Sequence, residues 1–187
     1  LSGAAASLAA VACASVAPRA SAQAAGADHG RVDPPVPIPD ISMHCADGTT
    51  ANLAAVVHGR VTALHLMFTG CSSVCPIQGA IFQRLQSLLT DQRERGIQLL
   101  SVAVDPVGDT PAAMRGWLER FDAREGWSAM VPNAQDLELV LNLFGAGRNA
   151  IANHSTQVNI IDRRGELIWR SQSLPSADSI AAILRKV

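Results

Sequence analysis

Two cysteines separated by three residues, Cys71 and Cys75, sit in the stretch FTGCSSVCPIQG at residues 68–79. A strand-forming run precedes them and a helical pattern follows. Residues four apart share one face of a helix, so the two sulfurs can approach each other or a common ion. The helix N-terminus carries partial positive charge and unpaired N–H groups, and both favour thiolate over thiol. Thiolate is the form that attacks disulfides and binds metals. Ser72 and Ser73 offer capping oxygens. Three chemistries compete for the pair: a static structural pair, a redox disulfide and a metal site. Redox motifs use a two-residue gap more often than three. The wider gap leaves room for an ion and a third ligand.

Five histidines are candidates for that ligand: His29, His44, His58, His65 and His154. His29 falls in the N-terminal tail, and His58 in a loop beside Gly59. His65 lies inside an apolar strand, where a core imidazole with one hydrogen bond is expected. Met43 and Cys45 flank His44, and alternation along a strand puts them on the face opposite to it. They are either accessory soft ligands or edge packing. His154, in NAIANHSTQVNIID, directly precedes a strand on the loop that faces the cysteine turn in a thioredoxin-like sheet. Thioredoxins place a cis-proline there, and this chain has no proline between Pro132 and Pro175. Two thiolates and an imidazole are too few for a closed zinc site. They suit a soft ion of low coordination number, and copper(I) is the natural candidate.

The elements that must position these residues follow from periodicity and punctuation. ISMHC and TANL read as a hairpin around Asp47-Gly48. RVTALHLMF and IQLLSVAV read as buried strands. Between them the pattern predicts a helix over 74–93, its apolar side carried by Ile77, Ile81, Leu85, Leu88 and Leu89, with Pro76 in its first turn and Gly96 as its stop. A second helix starts at Pro111, capped by Asp109 or Thr110. NAQDLELVLNLFG is a third helix, closed by Gly145. STQVNIIDRRGELIWRS is a hairpin around Arg163-Arg164-Gly165, and SADSIAAILRKV a C-terminal helix. The order hairpin-β-α-β-α-α-hairpin-α predicts an α/β thioredoxin-like fold: a mixed central sheet, flanking helices and an added N-terminal β-hairpin.

The chain has 187 residues, 48% hydrophobic and 17% charged, with net charge −1, enough to bury one core. No basic stripe points to nucleic acid, and aromatics are too few for base stacking. Residues 1–22, rich in alanine and ending in Ala20-Ser21-Ala22, read as a signal peptide or membrane anchor. Cys13, after Val11-Ala12, resembles a weak lipoprotein box. Residues 23–37, with prolines at 34, 35 and 37, read as an extended linker, and 38–187 as the folded domain. The body is then expected in the periplasm, secreted, or anchored to the outer face of the inner membrane, where disulfides persist.

Three segments, FTGCSSVCP, SVAVDPVGDTP and NHSTQVNIIDRRGEL, together resemble the Sco/SenC family of copper-binding thioredoxin-like proteins, from about residue 38 to the C-terminus. The resemblance implies Cys71, Cys75 and His154 as copper ligands. It implies copper supply to the copper A centre of cytochrome c oxidase subunit II or another periplasmic cuproprotein, with copper received from a donor protein, or reduction of that centre's cysteines. Asp105 and Asp109 match its second motif and are given a structural role. The family's Pro-Asp after the first cysteine is Ser72-Ser73 here, and the aspartate before the histidine is Asn153, which adds no charge to orient an imidazole. The competing enzyme reading is a thiol–disulfide oxidoreductase with Cys71 and Cys75 as catalytic cysteines and no metal. A peroxiredoxin-like peroxidase lacks its usual upstream Pro-x-x-x-Thr context. The plainest reading is a domain that only binds a protein partner.

Overall fold

The computed structural model describes residues 30–89, 96–146 and 155–187. Eight strands form one mixed sheet: β1 (Arg31–Pro37), β2 (Ser42–Cys45), β3 (Thr50–Asn52), β4 (Val61–Met67), β5 (Ile97–Ala103), β6 (Trp127–Pro132), β7 (Val158–Ile161) and β8 (Glu166–Arg170). Their spatial order is β1-β8-β7-β4-β5-β6-β2-β3. Strands β4, β5 and β6 run parallel, and β7 pairs antiparallel with β4. Every residue of β4 and of β5 is buried, as strands covered by helices on both faces require. The thioredoxin-like arrangement expected from the element order is the one observed.

The helices are α1 (Leu53–Val57), α2 (Val74–Leu88), α3 (Pro111–Arg120), α4 (Leu137–Leu143) and α5 (Ala177–Leu184). Alternation along β4 and β5 divides the interior in two. Val61, Ala63, Met67, Leu99 and Ala103 pack with α2, α3 and α5. Leu64, Leu66, Leu100 and Val102 pack with α1 and α4. Both cysteines of the pair belong to the first core.

The structure corrects several expectations. Residues 31–37 are no detached linker: they form β1, paired antiparallel with β8. Proline lacks the donor an interior ladder needs, so a proline-rich extended segment fits only the sheet edge, which is where β1 lies. Strand β6 has no counterpart in the sequence reading. WSAMVP holds one β-branched residue and ends in proline, so its propensity is weak, yet the slot between β5 and β2 buries five of its six residues. Helix α2 ends at Leu88, short of the expected 93. Its buried side is Cys75, Gln78, Gly79, Phe82, Leu85 and Gln86. Ile77, read as a core position, is 53% exposed. Both expected hairpins and their turns are present, with Gly48 and Gly165 at φ of 89° and 78°.

Candidate functional site

Strand β4 delivers the cysteine turn. After Met67 the chain closes a tight turn in which the Cys71 N–H donates to the Phe68 carbonyl at 3.1 Å. Ser73 takes the N-cap position of α2, but its hydroxyl makes no capping bond. The sulfur of Cys71 does so instead: the N–H of Cys75, second residue of the helix, donates to Cys71 Sγ at 3.4 Å. The Ser73 hydroxyl lies 3.6 Å from the same sulfur. The serines expected to cap the helix thus leave one orphan donor to a sulfur that can carry charge. Pro76 falls at the third helical position, where no intrahelical donor is lost.

The two thiols differ. Burial pushes the Cys71 thiol up, but hydrogen bonds from the Cys75 thiol, the Ser73 and Cys75 N–H groups and the Ser73 hydroxyl outweigh it and bring its pKa to about 7. Burial, reinforced by the hydrogen bond to Cys71, pushes Cys75 up to about 12. Cys71 is therefore the sulfur that ionises first, and Cys75 holds its proton at neutral pH.

Two supports lie behind the turn. The first is Asp109, which is 2% exposed. Its Oδ1 accepts from both the N–H and the hydroxyl of Thr69 at 2.7 Å, and its Oδ2 accepts from the Asp105 N–H at 3.1 Å. It is not the cap of α3: that role belongs to Thr110, whose Oγ1 accepts from Ala113 N–H. Burial holds the Asp109 carboxyl above the usual carboxylate range despite these donors. The second support is His65, fully buried under α2, its ring centroid 4.2 Å from that of Phe82 with the planes tilted by 41°, and bonded through Nε2 to the Ser101 hydroxyl at 2.7 Å. Trp127 Nε1 donates to the same hydroxyl at 3.0 Å. Burial lowers the His65 pKa to about 3, so it is a neutral core imidazole, as its place in the strand predicted. Gln78 leans on it from α2 without a well-aligned hydrogen bond.

His154, expected as the third ligand, lies outside the described residues, as do His29 and Cys13. Both flanks of residues 147–154 are tied to the end of β8. Arg170 donates to the Leu143 carbonyl at 2.6 Å and to Asn159 Oδ1 at 3.0 Å, and Ser171 Oγ accepts from the Val158 N–H at 2.9 Å. Among the described residues no group of three or more His, Cys, Asp or Glu is gathered. Met43 and Cys45 are not brought to the pair. Met43 is fully buried in the second core, and Cys45 packs on that core from its edge. Cys45 also lines a separate cleft of about 560 Å³ with Asp47, Arg60 and Arg115. His44 is exposed and bonded to Asn133, and His58 ends α1. The Asp109–Thr69 tie escaped the sequence reading, although both residues stood inside the quoted motifs. The donor set at the turn, two sulfurs with one of them ready to ionise, suits a soft cation.

Comparison with known proteins shows the family and agrees with the fold. Residues 45–187 match the SCO1/SenC family. A relative from Stutzerimonas stutzeri, whose name assigns it copper binding, is 28% identical over 87 residues, 46% of this chain and 42% of that protein's own length. The match therefore spans less than half of that relative. A SCO1/SenC family lipoprotein from Bacillus anthracis superposes with TM-score 0.68 at 19% identity, covering 83% of this chain and 98% of that one. ScoI of Bradyrhizobium japonicum, solved with copper bound, gives 0.64 at 15% identity, covering 81% and 99%. BsSco, described as a member of the Sco family of cytochrome c oxidase assembly proteins and as carrying a disulfide switch, gives 0.68 at 19% identity, covering 83% and 96%. No helix among the described residues is long and apolar enough to cross a membrane. The chain belongs to the SCO1/SenC family.

Proposed function

We propose that the protein binds copper(I) through Cys71, Cys75 and His154 and passes it to the copper A centre of cytochrome c oxidase subunit II, or to another periplasmic cuproprotein. The observation that carries this reading is the pairing of an ionisable sulfur with a second sulfur at the N-terminus of α2. Two thiolates match a soft monovalent cation. Few protein ligands at a turn favour ligand exchange with an acceptor over storage. Copper is the cargo here, and the relatives described as binding copper support the assignment. Residues 1–22 then act as a signal peptide or membrane anchor that places the domain outside the inner membrane. Anaerobic titration with copper(I) against a chromophoric chelator tests the reading. One copper per chain is expected, lost in Cys71→Ala and Cys75→Ala and weakened in His154→Ala. Full retention in His154→Ala contradicts the three-ligand site.

A second reading, thiol–disulfide exchange, is favoured by the inequality of the two thiols. A sulfur with pKa about 7 beside one at about 12 is the arrangement of an attacking and a resolving cysteine. Cys71 thiolate attacks one sulfur of an acceptor disulfide and expels the other as thiolate. Cys75 then displaces the acceptor, leaving a Cys71–Cys75 disulfide and a dithiol. In-cell function that survives His154→Ala but not either cysteine variant selects this reading.

A further inference from the structure

The β2–β3 hairpin parts from the sheet near its turn. Strand β2 pairs with β6 through Met43, His44 and Cys45, and one further bond joins the Ala46 N–H to the Ala129 carbonyl at 2.9 Å. There the chain turns back, the Gly48 N–H donating to the Cys45 carbonyl at 3.0 Å. Among the described pairings no hairpin residue stands beside Trp127 or Ser128, the start of β6. The space left is the cleft of about 560 Å³ that Cys45 lines, walled by α1 through Val56 and by α3 through Arg115 and Leu118. Its size suits a small molecule. Arg60 lines it just before β4, and the cysteine turn comes after β4. The seven residues of that strand, about 20 Å of chain, separate this end of the cleft from the turn.

The walls are built to hold charge. Gln98 is 7% exposed, and its Nε2 donates to the Val56 carbonyl at 2.9 Å and to Thr62 Oγ1 at 2.8 Å. Its Oε1 is left to accept from Arg60 Nη1 at 3.3 Å. Arg115 Nη1 donates to the Ala46 carbonyl at 2.7 Å, beside Cys45. Each guanidinium keeps further N–H groups for a ligand, and neither stands in a salt bridge among the described residues. The acid in the lining is Asp47, whose Oδ1 accepts from the Thr49 N–H and hydroxyl at 2.9 and 2.6 Å. Those bonds, with a smaller contribution from Arg115, hold its carboxyl below the usual range. Two positive charges against one negative leave the cleft positive in a chain of net charge −1. Val56, Leu118 and Met130 make the wall between the charges apolar. Cys45 is half-buried and in no disulfide.

A thiol alone marks no site, and here its surroundings select the ligand. The matching molecule has carboxylates for the arginines, a carbon chain for the apolar wall and a sulfur that a thiol can attack. We propose that the cleft takes a small disulfide bearing carboxylates and that Cys45 exchanges with it. The Cys45 thiolate attacks one sulfur, the S–S bond breaks, and the other half leaves as a thiolate that takes up the proton Cys45 gave up. Cys45 ends as a mixed disulfide. Its sulfur is oxidised, the departing sulfur is reduced, and the small disulfide is the only oxidant. The site stands independently of the copper reading.

The test treats the reduced, copper-free full chain with glutathione disulfide, which is anionic, and in parallel with hydroxyethyl disulfide, which is uncharged. Peptide mass spectrometry follows the adduct at Cys45 apart from the reaction of Cys71. The same chain unfolded in urea gives the intrinsic preference between the two reagents. Folding is expected to shift that preference at Cys45 about tenfold toward glutathione disulfide. In the wild type the anionic rate is expected to fall about threefold between about 20 and about 500 mM sodium chloride, while the uncharged rate stays level. Arg115→Gln and Arg60→Gln are expected to lower the anionic rate about tenfold and about threefold, with the uncharged rate at Cys45 and the exchange at Cys71 unchanged. Arg115→Lys keeps the charge and is expected to recover part of the loss. An equal preference in folded and unfolded chains overturns the proposal. So does a loss shared equally by both reagents in the arginine variants, or a folded Cys45 that reacts with neither.

Discussion

Cys71 and Cys75 are four residues apart and chemically unequal. Cys71 accepts a helix-terminal N–H and has its pKa drawn down to about 7, while Cys75 lies one turn inward and is pushed up to about 12. The thiolate is the reactive form, and its fraction rises as pH climbs through the pKa. Alkylation of Cys71 by iodoacetamide is therefore expected to accelerate as pH passes about 7 and to level off above it. Cys75 is expected to stay unreactive across the same range. Peptide mass spectrometry of the alkylated protein separates the two rates, and a common midpoint near 9 for both would contradict the inequality. The position of the pair was legible in the sequence, because a strand pattern, a helix pattern and Pro76 bracket it. The capping sulfur was not legible. Serine is the better cap by residue type, and only the backbone path of the turn decides that Cys71 takes the role from Ser73.

At the scale of elements, the turn after β4 is held from outside its own segment. Asp109, from the loop after β5, fixes the Thr69 N–H and hydroxyl, and Asp105 braces Asp109 in turn. Removing that carboxylate strands a part-buried donor in a turn with few other anchors. Asp109→Ala is expected to cost about 2 kcal/mol, in line with hydrogen bonds to a charged group, and to weaken copper(I) binding. Asp109→Asn keeps one acceptor oxygen and is expected to lose less on both counts. Denaturant unfolding and chelator competition measure them, and an Asp109→Ala protein of wild-type stability and affinity would remove this tie from the account. The sequence offered Asp109 and Thr110 equally as caps. Local pattern cannot tell which one is released to reach 40 residues back, because that choice depends on β4 and β5 lying side by side. The same limit explains β1 and β6. Proline-rich β1 and weakly patterned β6 have poor local signals, and each is a strand because the sheet supplies a neighbour. The strongly patterned β4, β5 and α2 needed no such help, though the inward face of α2 turned out to be Cys75, Gln78 and Phe82 rather than Ile77.

Across the whole molecule, two cores on opposite faces of one sheet separate the cysteines by role. Cys71 and Cys75 sit at the rim of the core under α2, whereas Met43 and Cys45 belong to the far face and contribute nothing to the pair. The remaining donor is expected from the segment between Ala146 and Ser155, whose two flanks are bound to β8 through Arg170 and Ser171. Family membership and the sulfur pair support the proposal of a soft-metal site, with His154 as its proposed third ligand. The most direct test is the X-ray absorption spectrum of the copper(I)-loaded full chain, beside that of the His154→Ala variant. The account predicts two sulfur scatterers and one nitrogen in the wild type, with the nitrogen lost in the variant. A shell of sulfur alone, or a nitrogen that persists in His154→Ala, would contradict it.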